Sequence, residues 1–188
     1  MLEEKKIMTY NEYLTLTEES SSKYEFVDGK IYVLAAPTVQ HEIIKTNTYN
    51  ILYEYFKESK CKPFTSGFAI TQKLDNNIKK EIQPDVLVVC DTENIKDTKY
   101  YGIPSMVIEV VSPSNMSYDY ITKTNIYMNL GGIKEYLIIN PMTESVRYYK
   151  FKNNEIEYTK DFNKNEVFAS EIFERLKINF KEVFNIKI

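Results

Sequence analysis

Glu109 stands inside the apolar run Met106-Val107-Ile108-Glu109-Val110-Val111, where an ionised carboxylate is costly unless a cation or strong donors compensate it. Asp85 poses the same question at the head of "PDVLVV". Strands built from these two runs and lying side by side would bring both carboxylates to one rim of a sheet. Like charges so close raise a pKa or recruit a metal ion. With no cluster of histidines or cysteines beside them, hard oxygen ligands select Mg²⁺ or a similar ion over zinc. Asp119, Lys123 and Tyr127 follow at i, i+4 and i+8, one face of a helix, so Lys123 can point back to the carboxylates. Taken singly, each residue also has a plainer reading: Glu109 as a structural ion-pair partner, and Asp85 as a strand-start residue after Pro84.

The elements that must position these residues are legible in outline. Thr9 and Glu12 match a capping box, predicting a short helix over 9–16. "KYEFV", the turn pair Asp28-Gly29 and "KIYVLAA" read as a hairpin. In its first arm Glu25 shares a face with Val27, opposite Tyr24 and Phe26, a third acid on an otherwise apolar face. Apolar residues at 44, 51, 52, 55 and 56 predict a helix from Thr38 to about Ser59. Strands are expected at 68–74, 82–90 and 105–111, the last two as central strands covered on both faces. A helix over about 117–130 should stop at Gly131-Gly132. Two more strands, "KEYLIIN" and "SVRYYKF", follow, and the tail from Glu171 fits strand or helix. "NNIKK" at 76–80 reads as a polar turn.

The 188 residues suit one domain spanning 1–188, and no linker, repeat or low-complexity stretch divides them. A hydrophobic fraction of 43%, with 16 Tyr and 10 Phe, is that of a folded core rather than a disordered chain. Net charge of -3 excludes the general basic field of a protein that coats nucleic acid, so DNA would be met by a local patch. Cys61 and Cys90 stand apart without a partner motif and read as packing residues. The start "MLEEKKIMTY" lacks the apolar core of a signal peptide, and no run approaches a membrane span. A cytoplasmic protein with no membrane contact is expected.

In "MTYNEYLTL", "YEFVDGKIYVLAAPTVQHEII", "IQPDVLVVC", "IPSMVIEVVSPSN", "DYITKTNIYMNLGGIKEYLIINP" and "INFKEVF" the chain resembles the Uma-type (Uma-two) restriction endonuclease family, a branch of the PD-(D/E)XK nuclease superfamily. The resemblance runs in order along nearly the whole chain. It implies an α/β, restriction-endonuclease-like core with a mixed central sheet flanked by helices, and Mg²⁺- or Mn²⁺-dependent cleavage of DNA. It also implies Asp85, Glu109 and the Val110 carbonyl as metal ligands, with Glu25 and Lys123 completing the catalytic set. Lys123 stands in for the lysine usual two residues after the second acid, where this chain has Val111. Two further departures are Glu42 after His41, where the family has glutamine, and Asn140, where it has aspartate. Either substrate contact or packing would be affected.

His41 near the helix start reads as a phosphate contact or proton shuttle, or as an exposed first-turn residue. Ser112 and Ser114 read as phosphate contacts or as turn and cap residues. Asp119 and Tyr127 read as supports for Lys123. A homodimer is expected, since cleaving two strands commonly uses two related sites. Two alternatives stand beside the DNA endonuclease: a nuclease-fold protein that binds nucleic acid or a partner with little or no cleavage, and an RNA or single-strand nuclease.

Overall fold

The computed structural model describes residues 7–186 apart from 66, 76 and 114. Thr9 opens α1 (Tyr10–Glu19) with the expected capping box. β1 (Lys23–Val27) and β2 (Lys30–Leu34) form the hairpin, with φ of 49° at Asp28 and 83° at Gly29, the left-handed pair that a two-residue hairpin turn requires. α2 (Val39–Phe56) follows, capped by the Thr38 hydroxyl. Next come β3 (Lys62–Thr65), β4 (Ala69–Leu74), β5 (Asn77–Ile82) and β6 (Val86–Val89). The short β7 (Ile95–Lys96) and β8 (Lys99–Tyr100) precede β9 (Met106–Val110). A π-helical segment, Tyr118–Lys123, runs into α3 (Thr124–Asn129). The chain ends with β10 (Glu135–Asn140), β11 (Ser145–Lys152), β12 (Glu155–Asn163), β13 (Val167–Ala169), β14 (Lys177–Asn179) and α4 (Phe180–Val183).

Among the described residues two six-stranded sheets face one another, ordered β12-β11-β10-β9-β6-β3 and β2-β1-β5-β4-β8-β7. Both are mixed, through the parallel pairs β9–β10 and β4–β8. As their apolar runs predict, β6, β9 and β10 are buried along their length. Alternation then splits the core. Met106, Ile108 and Val110 join α2 and α4 on one side, while Val107 and Val111 join the second sheet and Tyr127 on the other. By the same alternation Glu109 faces the second side.

Three expectations need correction. The run 82–90 is not one strand. Ile82 ends β5 in one sheet and Val86 begins β6 in the other, with Gln83, Pro84 and Asp85 making the switch, because Pro84 has no N–H for a ladder and the Gln83 amide is taken by Glu25. The stretch expected as a polar turn supplies β5 from Asn77 onward, and Asp75, at φ 48°, belongs to the turn before it.

Cys61 and Cys90 are the third. They extend the β3–β6 register as directly opposed residues and are joined as a disulfide, with Cα atoms 4.0 Å apart. Far apart in sequence, they carry no spacing motif that announces this. A cross-link over a separation of 29 residues stabilises by about 3 to 4 kcal/mol in the chain-entropy account. Urea unfolding with and without dithiothreitol should therefore differ by about 3 kcal/mol; coincident curves would contradict the cross-link's role.

Candidate active site

The site forms where the two sheets meet the π-helical segment. Continuing the β6–β9 register sets Asp85 opposite Glu109, and their groups interlock. The Asp85 amide donates to Glu109 Oε2 at 3.3 Å, and the Val110 amide donates to Asp85 Oδ2 at 2.8 Å. Lys123 Nζ donates to Glu109 Oε1 at 2.8 Å, and the Tyr127 hydroxyl donates to the same oxygen at 2.5 Å. Lys123 also lies 3.5 Å from Glu25 and 3.7 Å from Asp119. Glu25, fully buried, accepts from the Gln83 amide at 2.9 Å and from the Tyr118 hydroxyl at 2.6 Å.

The π-helical turn is what delivers Tyr118, Asp119 and Lys123 to this point, where a regular helix was expected. The Asp119 carbonyl accepts from the Tyr136 hydroxyl at 3.2 Å and from Thr124 Oγ1 at 3.4 Å, partners outside the regular backbone ladder. Widened turns of this kind recur at functional sites.

Four carboxylates, Glu25, Asp85, Glu109 and Asp119, surround one buried lysine. Burial would neutralise Lys123, but Glu109, Glu25, Asp119 and Asp85 more than offset it and hold the ammonium charged far up the pH scale. Burial pushes Glu109 well above the carboxylate range against the pull of Lys123, with Asp85, Asp119 and Glu25 adding to the rise. Asp85 goes the other way: burial raises it, yet the His41 hydrogen bond and the charges of His41 and Lys123 bring it below its usual value.

Burial, with Asp85 and Glu25 reinforcing it and Lys123 opposing, pushes Asp119 up to about 6. A carboxyl raised in the fold contributes stability that is whole below its unfolded pKa and lost as pH climbs through the folded value. Asp119→Asn should therefore gain about 3 kcal/mol over the wild type at about pH 7.5, and only a fraction of that near pH 4. Denaturant titrations at the two pH values check this, and an equal effect at both would contradict it.

The expected residues assemble with few exceptions. Glu25, Asp85, Glu109 and Lys123 meet as described, and Asp119 and Tyr127 support the lysine and Glu109. Val110 brings its amide to Asp85. Ser112 lines the same small cavity of about 80 Å³ as Asp85, Glu109 and Lys123, while Ser114 lies outside the described residues. His41 is buried rather than exposed, and its Nε2 donates to Asp85 Oδ2 at 3.1 Å. Glu42 pairs with Lys45 at 2.6 Å. Asn140 accepts from the Met142 and Thr143 amides, a turn role. Tyr118, which from sequence alone reads as a packing or base-stacking residue, instead has its hydroxyl committed to Glu25.

This architecture is that of a nuclease-like fold. The chain is similar to the crystal structure of "a putative nuclease belonging to DUF820" from Anabaena variabilis ATCC 29413, with a TM-score of 0.76 and 20% identity over 94% of this chain and 97% of that one. Residues 10–181 match the profile of the Uma2 family, described as "Putative restriction endonuclease", and the chain belongs to that family. It is similar also to two uncharacterized proteins of Synechocystis sp. With slr1290 it shares 28% identity over 73% of this chain and 71% of the relative, and with sll1609 26% identity over 77% and 81%. No helix among the described residues is long and apolar enough to cross a membrane.

Proposed function

We propose that the protein is a metal-dependent endonuclease that hydrolyses phosphodiester bonds in DNA, with Asp85, Glu109, Lys123 and Glu25 as its working residues. The observation that carries this reading is the pairing of Asp85 with Glu109 across adjacent strands, with Lys123 on the second carboxylate.

The donor set fits Mg²⁺. Among the described residues no three His, Cys, Asp or Glu side chains converge into a cage. Two carboxylates, with the Val110 carbonyl, water and substrate phosphate making up the remainder, is the way Mg²⁺ is commonly held. The buried negative charge that one lysine leaves uncompensated also favours a cation. A divalent ion held by Asp85 and Glu109 would neutralise charge on the scissile phosphate and lower the pKa of a bound water.

The protein's own groups do the rest. Lys123, kept charged by its acidic neighbours, orients the attacking water and balances negative charge growing on the phosphate. Glu25, locked by the Gln83 amide and the Tyr118 hydroxyl, sets the position of that ammonium. Ser112, which lines the same cavity as Asp85 and Glu109, would meet the phosphate. Two copies in a symmetric dimer would present one such site to each strand.

Supercoiled plasmid incubated with the purified chain and Mg²⁺ or Mn²⁺ should be nicked, and EDTA should stop it. A second reading draws on the tight Lys123–Glu109 pair: a closed ion-pair network is also what a nuclease fold kept only for binding would retain. Retarded migration of DNA without nicking in either metal would favour that reading. Cleavage confined to RNA or single-stranded DNA would move the substrate class.

A further inference from the structure

The Asp85 carboxylate is asymmetrically occupied. Its Oδ2 accepts both the Val110 amide at 2.8 Å and His41 Nε2 at 3.1 Å, while Oδ1 takes no hydrogen bond among the described residues. The imidazole that does this is itself fixed. His41 sits in the first turn of α2, with its amide bonded to the Thr38 hydroxyl at 3.1 Å. Its side chain is 10% exposed, and Nδ1 is buried without a hydrogen bond. The Glu42 carboxylate lies 3.6 Å from Nδ1. A histidine meant to meet a phosphate would keep a nitrogen free toward solvent. This one spends its Nε2 on Asp85 and turns its other nitrogen inward.

We propose that His41 is a positioning residue for Asp85. Together with the Val110 amide it saturates Oδ2, pins the carboxylate's rotamer, and leaves Oδ1 as the single Asp85 oxygen offered to a divalent cation. The inference rests on the metal-dependent reading above and deepens it, replacing a substrate-contact role for His41 with one exerted through Asp85. Partners that orient metal-binding carboxylates typically change metal affinity by about 10- to 100-fold when removed. A role exerted through Asp85 alone should show in metal affinity, with the rate recovering at saturating metal. The length of the side chain matters, since only a group reaching from α2 to the strand can hold Oδ2.

The test is Mg²⁺ and Mn²⁺ affinity of the full chain by calorimetry, for wild type, His41→Ala, His41→Asn and His41→Gln, with metal-dependence curves of plasmid nicking on the same samples. His41→Ala and His41→Asn should bind the ion about 10- to 100-fold more weakly and regain most of the wild-type nicking rate at saturating metal. His41→Gln, whose amide nitrogen can take the place of Nε2, should recover most of the affinity. If His41→Ala fails to fold, the Asn and Gln pair still separates reach from polarity. Affinity unchanged in all variants would overturn the proposal, as would a nicking rate that stays low at saturating metal with wild-type affinity, the signature of a substrate contact. No ion binding by the wild type itself would instead overturn the metal-dependent reading on which the proposal rests.

Discussion

Lys123→Met is expected to lose about 3 to 5 kcal/mol of stability near pH 7 and all detectable nicking. Lys123 is 4% exposed and faces Glu109, Glu25 and Asp119 within 3.7 Å, so its removal leaves a cluster of buried carboxylates with no neighbouring ammonium. The deficit should shrink toward pH 5, where the carboxyls raised by burial take up protons, and Lys123→Met combined with Glu109→Gln should recover part of the stability at neutral pH. Neither change should restore cleavage. Urea unfolding at the two pH values checks the first half and plasmid nicking the second. A variant as stable as wild type would show that the lysine does not hold the cluster together, and a variant that still cuts would show that it has no part in cleavage.

The largest effect on cleavage alone belongs to Asp85→Asn. The amide keeps an acceptor for the Val110 amide and for His41. Because burial is outweighed by His41 and Lys123, which hold the ionised Asp85 carboxylate below its usual pKa, the neutral amide gives up a modest part of the stability at neutral pH. The fold should remain cooperative. Nicking should fall by at least about 1000-fold, because the charge stabilisation a bound divalent ion gives the transition state amounts to several kcal/mol. Unfolding extensive enough to account for the lost rate would reduce Asp85 to a structural residue. An unchanged rate would remove it from the site.

Much of this site was legible because burial makes charge conspicuous. Glu109 inside "MVIEVV" and Asp85 before "VLVV" stand out against apolar neighbours, and the spacing of Asp119, Lys123 and Tyr127 survives even though the helix carrying two of them is widened into a π turn. The hairpin and the Thr9–Glu12 capping box were readable because their turn and capping chemistry is local. What stayed hidden depends on the third dimension. The second sheet is assembled from distant segments, and the sheet switch at Gln83–Asp85 looks like one apolar strand until Glu25 is seen to claim the Gln83 amide. β12 alternates Ile156, Tyr158 and Phe162 with polar residues, but as an edge strand with nearly all its side chains exposed it has no long apolar run to mark it. The link between Cys61 and Cys90 depends on β3 and β6 lying side by side, and β3 was not expected from the sequence.

The same limit explains His41. As a lone histidine near a helix start it carries no sign of its partner, since 44 residues separate it from Asp85. The bond appears only when α2 lies along β6. Tyr118 was obscured for a different reason. Among 16 tyrosines, nothing in its immediate sequence says that its hydroxyl reaches Glu25.

The central claim is that Asp85 and Glu109 hold a divalent cation, and titrating Mg²⁺ and then Mn²⁺ into the full chain by calorimetry tests it most directly, with Asp85→Asn run alongside. The wild type should show a metal site, present or strengthened when a short DNA duplex is added, and the variant should lose it. Absence of ion binding by the wild type even with DNA, or equal binding by both proteins, would contradict it and leave Glu109 as the buried ion-pair partner of Lys123.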